Sequence, residues 1–141
     1  MGEIISATTR FSRMGGKSTE FLLKARVLLA EAERYRQEGD LVLALEFSYR
    51  AALRTAGAVF ADSASASRKR LPKGAWERLR LVDDRAAAWA DELSAFSRLR
   101  SRAASGLEVN LTVVTLDSFM SRVEDFLDEA EGGAGWLPAV A

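Results

Sequence analysis

The segment 68-RKRLPKGAWERLR-80 combines positive charge with an aromatic ring in a pattern that could bind nucleic acid. Cations around an exposed aromatic side chain can hold phosphates while the ring stacks on a base. The alternative is a solvated loop leading into a helix whose Trp76 lies in the core. We favour that alternative, because Trp76 keeps the helical spacing of the apolar residues after it. With a single acid, Glu77, the segment has a net charge of +5, from six basic residues: Arg68, Lys69, Arg70, Lys73, Arg78 and Arg80. Of these we take as candidate nucleic-acid or anion contacts Arg68, Lys69, Arg70 and Lys73.

A second basic group is formed by Arg98, Arg100 and Arg102, in a stretch without acids. Arg98 and Arg102 are four residues apart and would share one face of a helix. These three arginines are further candidate anion contacts. A structural role is the interpretation we favour, because cations near the C-terminal end of a helix interact favourably with its dipole.

The segment 117–131 has the opposite charge, with one arginine, Arg122, against six acids, a balance of −5. Paired carboxylates such as Glu124 and Asp128 could hold a divalent metal, but a solvated or partner-facing acidic side is the simpler interpretation. Acids near the C-terminal end of a helix are unfavourable for its dipole. We therefore expect basic groups to neutralise them, most simply the basic loop of the same chain or of a dimer mate.

The composition narrows the chemistry that is open to the chain. Its 141 residues contain no cysteine and no histidine, and 20 basic residues balance 20 acids. Disulfides, thiolate nucleophiles, zinc sites with cysteine or histidine ligands and histidine acid–base catalysis are excluded. We assign no catalytic residue, no metal and no cofactor, and the net charge points to no particular partner.

Two helices are predicted in the first half of the chain. Residues 1–17 lack helical periodicity and read as a flexible arm that Gly15 and Gly16 end. Ser18 or Thr19 would then cap a first helix that stops at Gly39. Its apolar face is formed by Phe21, Leu22, Ala25, Leu28, Leu29 and Ala32. Asp40 would cap a second helix over about 41–61, whose narrow stripe of small residues allows close helix packing: Ala44, Ser48, Ala51, Ala52, Thr55, Ala56 and Val59.

The second half predicts two more helical regions. One runs from about Trp76 to Ala104, and the pair at 83–84 could cap a fresh start inside it. The alternating segment 107–115 is either a strand, paired with residues 4–9, or an extended connector, which we favour. Thr115 would cap the last helix.

Together these elements predict an all-α fold, an up-and-down four-helix bundle over residues 18–131, or five helices if the third is broken. The flexible arm 1–17 and the tail 132–141 flank it. No apolar run reaches the length of a membrane span, so we expect a cytoplasmic protein with no membrane partner.

The order and spacing of several short motifs resemble those of the HEPN superfamily, the higher-eukaryote and prokaryote nucleotide-binding domains. The resemblance covers roughly residues 20–130 and is strongest to a small stand-alone actinobacterial branch. It is carried by Leu28-Leu29-Ala30, Tyr49-Arg50-Ala51-Ala52-Leu53-Arg54, Trp76-Glu77, Leu79, Trp89-Ala90, Phe96, Arg102-Ala103, Gly106, Val114-Thr115 and Phe126-Leu127.

The resemblance implies a helical bundle that is commonly dimeric. It also implies metal-independent ribonuclease activity, in which an arginine is followed a few residues later by a histidine. Here Arg98, Arg100 and Arg102 have no histidine after them, and the chain contains none. The resemblance therefore supports the fold and weakens the activity.

The function that we expect is a non-catalytic HEPN-type binding or regulatory module, linked to RNA or a nucleotide. One alternative is a divergent ribonuclease that uses arginine with a hydroxyl or carboxylate. Another is a structural dimer that partners a second protein. We expect a homodimer, with candidate contacts in the tail at Trp136, Leu137 and Val140.

Overall fold

Helices make up every regular element of the described chain. The computed structural model describes the backbone of residues 2–132 and the side chains of residues 16–132. In chain order the elements are α1 (Gly2–Gln37), α2 (Leu41–Ala61), a 3₁₀ turn (Ala64–Ser67), α3 (Ala75–Leu79), α4 (Asp84–Ser94), α5 (Ser97–Ala104) and α6 (Val113–Gly132). No strand occurs within 2–132, so the all-α bundle is confirmed. No helix in this range has both the length and the apolar character of a membrane span.

Helices α1 and α2 form the antiparallel pair that the sequence predicts. Gly39 adopts a φ of +84°, which favours glycine, and the chain reverses there. The Asp40 carboxylate then caps α2 by accepting a hydrogen bond from the backbone N–H of Leu43 at 3.1 Å. The stripe of small residues faces the core, and Ala44, Ala51 and Ala52 are fully buried. The bounds of α2 and the packing role of its alanines are confirmed.

The start of α1 differs from the prediction. The helix begins at Gly2 and passes through Gly15 and Gly16, so neither Ser18 nor Thr19 caps it. Ser18 is 1% exposed, and its hydroxyl donates to the Ala58 carbonyl of α2 at 3.2 Å. This hydroxyl therefore joins two helices instead of starting one. The side chains of residues 2–15 lie outside the described set.

The third helical region is broken into three short helices. Asp83 starts α4, because its side chain accepts from the N–H of Ala86 at 2.7 Å. This is the fresh start that the acidic pair predicted. A second break precedes α5, where Phe96 packs on Phe119 with ring centroids 4.3 Å apart. The region from Trp76 to Ala104 is therefore broken, as the sequence left open, but at two points instead of one, and α3 to α5 together complete the bundle.

Residues 107–112 form an irregular connector, which rules out the predicted strand and leaves the connector that we favoured. The last helix begins at Val113, earlier than predicted. Its cap is Thr112, whose hydroxyl accepts from the N–H of Thr115 at 3.1 Å. Thr115 is therefore inside the helix and is not its cap.

The core lies where α6 packs against the α1–α2 pair and α4. The apolar face of α6 is buried there at Leu116, Phe119, Val123, Phe126 and Leu127. The tail residues Trp136, Leu137 and Val140 lie outside the described residues.

Candidate functional site

The arginines of α5 have separate environments. Arg100 forms two hydrogen bonds with Glu46 of α2, from Nε to Oε1 and from Nη2 to Oε2, both at 2.8 Å. Arg50 donates a third, from Nε to Oε2 at 2.6 Å. The hydrogen bonds from Arg100 are the main reason that the pKa of the buried Glu46 carboxyl is lowered. The edge of Arg100 that could bind a phosphate bidentately is therefore occupied by Glu46.

Arg98 and Arg102 point into solvent from the same helix. Arg98 makes no hydrogen bond or ion pair within the described residues. Arg102 donates to the Glu108 carbonyl at 3.4 Å, which is a weak bond. An anion could reach both side chains from solvent.

Trp76 belongs to the core, as we favoured. It is buried, and its indole N–H donates to the hydroxyl of Tyr49 at 2.8 Å. The Tyr49 ring in turn stacks on Phe119 and lies 5.4 Å from the Arg100 guanidinium. Trp76 is therefore not placed to stack on a base.

The basic loop divides into cations with structural partners and cations without them. Arg78 donates to the Pro72 carbonyl at 2.6 Å, and Arg80 forms an ion pair with Asp91 at 3.0 Å. The side chains of the other four are exposed and make no hydrogen bond or ion pair within the described part of the chain: Arg68, Lys69, Arg70 and Lys73. The loop thus presents a cluster of solvated positive charge.

A groove beside this loop contains aromatic rings that the sequence reasoning missed. The Phe21 ring of α1 lies between two cations, 5.8 Å from Lys17 Nζ and 5.5 Å from the Arg54 guanidinium. Its neighbour is Gly57, where a Cβ would approach the ring to 3.0 Å. Lys73 and Arg78 line the same groove, and Arg78 lies 5.7 Å from the Phe60 ring. We call this set the basic groove: Lys17, Phe21, Arg54, Phe60, Lys73 and Arg78.

The two basic groups predicted from the sequence are far apart. Arg100 contacts the first turns of α2 at Glu46, whereas the basic groove meets the last turns around Gly57. At about 1.5 Å per residue these points are roughly 17 Å apart along the helix. A compact anion would contact one group or the other.

Four of the six acids of α6 are neutralised by arginines of α1 and α4, and not by the basic loop that we expected. Arg26 of α1 bonds to Asp128 and Glu131, each at 2.5 Å. Further pairs join Arg36 of α1 to Asp117 and Arg85 of α4 to Glu129. These cations lie beside α6 in the fold, so they reach its acids first. No group of three or more acids within the described residues is placed to hold a metal ion.

Comparison with known families identifies the superfamily of this chain. A family model described as HEPN_SAV_6107, SAV_6107-like HEPN, matches residues 25–131. The chain belongs to the HEPN superfamily. The resemblance seen in the sequence is thereby confirmed. No curated protein and no solved structure matches the chain.

The chain is a HEPN domain, but its residues do not match the pattern of an arginine followed by a histidine that the ribonucleases of the superfamily use. Of the three arginines on α5, Arg100 is held by Glu46, and no histidine exists anywhere in the sequence. The basic groove contains residues from inside and outside the range that the family model matches. Arg54 lies inside that range, whereas Lys17 precedes it. Lys17 and Phe21 are four residues apart on one face of α1, which is the signal that could have revealed this groove.

Proposed function

We propose that this HEPN domain is a non-catalytic module that binds single-stranded RNA through its basic loop and basic groove. The observation that carries the proposal is the group of exposed cations at 68–73, which have no partners among the described residues. The partly exposed Phe21 ring, which has Lys17 and Arg54 near it, lies beside them. Proteins bind single strands with this combination, in which cations follow the phosphates and rings stack on bases.

The absence of histidine supports a role without catalysis. General acid–base cleavage of RNA needs a group that can both accept and donate a proton near neutral pH, and imidazole is the side chain best suited to this. The charged side chains of the groove are instead lysine and arginine. We expect no cleavage of structured or unstructured RNA, with or without magnesium. Cleavage that disappears in Arg98→Ala or Arg102→Ala would restore the divergent ribonuclease.

Binding is tested by fluorescence anisotropy with a labelled single-stranded RNA at several salt concentrations. The test variant replaces Arg68, Lys69 and Arg70 by alanine, and the matched control replaces Arg98 and Arg102. Each phosphate contact contributes about −0.7 to the slope of log K against log salt for single strands. The loop variant should therefore bind more weakly, with a slope shallower by about 2.

Three results would overturn the proposal. One is no binding at low salt, and another is wild-type binding by the loop variant. The third is loss of binding only in the α5 control, which would move the site to Arg98 and Arg102.

The homodimer stays a prediction that rests on the family resemblance. Attraction between the basic loop of one chain and the acidic α6 of a mate is a weaker support for the dimer, because acids of α6 already have partners within the chain. Sedimentation equilibrium of the full chain at low and high salt tests it. A chain that stays monomeric at micromolar concentration would contradict the dimer.

A further inference from the structure

An apolar cavity lies between α2, α4 and α6, at the end of the bundle where α6 finishes. Its volume is about 180 Å³. A cavity of about 150 Å³ in another protein is large enough to bind benzene. This one could therefore hold an aromatic ring. Its apolar walls are formed by Leu22, Val59, Val82, Trp89, Phe126 and Ala130.

The rim of the cavity has one acceptor without a partner. Glu129 is held by Arg85 and also accepts from the indole N–H of Trp89 at 2.9 Å. The Asp62 carboxylate makes no hydrogen bond or ion pair within the described residues. Asp62 is an exposed residue, and the desolvation that its carboxyl does experience disfavours the charged form and raises its pKa. The cavity thus suits a flat apolar ring that carries a single N–H donor.

We propose that the indole of Trp136, in the chain's own tail, occupies this cavity and donates its N–H to Asp62. Indole is a donor-only group with a large apolar body, which matches the cavity and its rim. The reach is sufficient, because Ala130 lines the cavity and Trp136 follows it by six residues. Six residues can span up to about 20 Å. Glycines at 132, 133 and 135 allow the chain to reverse.

The chain's own tail is favoured over the tail of a second copy. A short flexible linker gives its end an effective concentration in the millimolar range. A second chain at micromolar concentration competes poorly with that. The predicted homodimer, if it forms, therefore uses contacts other than Trp136.

Nuclear magnetic resonance of the full chain tests the position of the indole directly. A Trp136→Phe variant identifies the indole N–H signal of Trp136 among the three tryptophans. In isotope-labelled chain diluted with unlabelled chain, we expect nuclear Overhauser effects from this indole to the methyl groups of Val82 and Ala130. Effects seen only between labelled and unlabelled chains would assign the cavity to a second copy and overturn the proposal. An indole with no such effects and a solvent-exposed N–H would overturn it as well.

Free indole provides a second probe of the same cavity. In full-length Trp136→Ala the cavity is vacant, so titrated indole should shift the Val82 and Ala130 signals at a concentration at least tenfold lower than in the wild type. Trp136→Ala should also have a melting temperature about 5 °C lower. The loss of a buried aromatic contact lowers the free energy of unfolding, and in a domain of this size such a loss shifts the melting temperature by several degrees. Leu137→Ala is the matched control and should melt close to the wild type. Equal melting of Trp136→Ala and wild type, or equal indole affinity, would refute the docked tail.

Discussion

Replacing Arg100 by alanine should destabilise the folded chain through Glu46. The Glu46 side chain is 11% exposed and would lose two of its three charge-assisted hydrogen bonds, while Arg50 keeps the third. Removing one partner of a fully buried pair costs about 3–5 kcal/mol. Because Arg50 remains and the Arg100 side chain is 31% exposed, we expect a smaller loss, about 2–3 kcal/mol.

The loss should depend on pH in a defined direction. The pKa of Glu46 in the folded chain lies below its usual value of 4.5, mainly because Arg100 donates to it. Its contribution to stability is therefore fully present above pH 4.5 and disappears as the pH falls through the folded pKa. The difference between wild type and Arg100→Ala should be largest near neutral pH and should shrink on the acid side.

Urea unfolding at a series of pH values measures this difference in the free energy of unfolding. Arg98→Ala is the matched control, because Arg98 lies on the same helix without a partner among the described residues, and it should change stability by less than about 0.5 kcal/mol. If Arg100→Ala unfolds like Arg98→Ala at neutral pH, or if its deficit does not change with pH, the Glu46–Arg100 pair does not stabilise the fold as argued.

Two further experiments test how the bundle is assembled. Ala52→Leu or Ala56→Leu adds bulk where α2 is buried, so each should lower the free energy of unfolding by about 1–3 kcal/mol. Unchanged thermal melting of both variants would place the small-residue stripe of α2 on the surface. Asp83→Ala removes the cap of α4 and should lower the free energy of chemical unfolding by about 0.5–2 kcal/mol. The control is Asp84→Ala, because the Asp84 side chain accepts no capping hydrogen bond. Equal stability of the two variants would contradict the cap.

The sequence predicts the parts of the fold that local rules determine. Helix α2 has its cap at Asp40, its preceding turn at Gly39 and its stripe of small residues, and each of these follows from neighbouring positions. The first residue of α1 does not follow in this way. Ser18 has the type of a cap, but its hydroxyl bonds across to Ala58, forty positions away in sequence. A tertiary partner of that kind leaves no local signal.

The same limit applies to the candidate site. The runs of arginine and lysine are visible in the sequence, but the pairing of Arg100 with Glu46 joins residues 54 positions apart. The basic groove escaped detection because Lys17, Arg54 and Lys73 come from three different elements. Each is an ordinary surface cation on its own helix or loop, and only the packing of α1 on α2 brings them beside Phe21.

The fold also separates the charges of a chain whose net charge is zero. The acids of α6 attract Arg26, Arg36 and Arg85, so arginines of α1 and α4 are used within the fold. The cations at 68–73 are left without acids, since Glu77 is the one acid in the whole segment 68–80. Because exposed pairs are screened in solution while clusters of one sign create a local field, the loop side of the bundle attracts anions. The uneven pairing, and not the total charge, is therefore what leaves exposed positive charge on this surface, as the proposed binding of RNA requires.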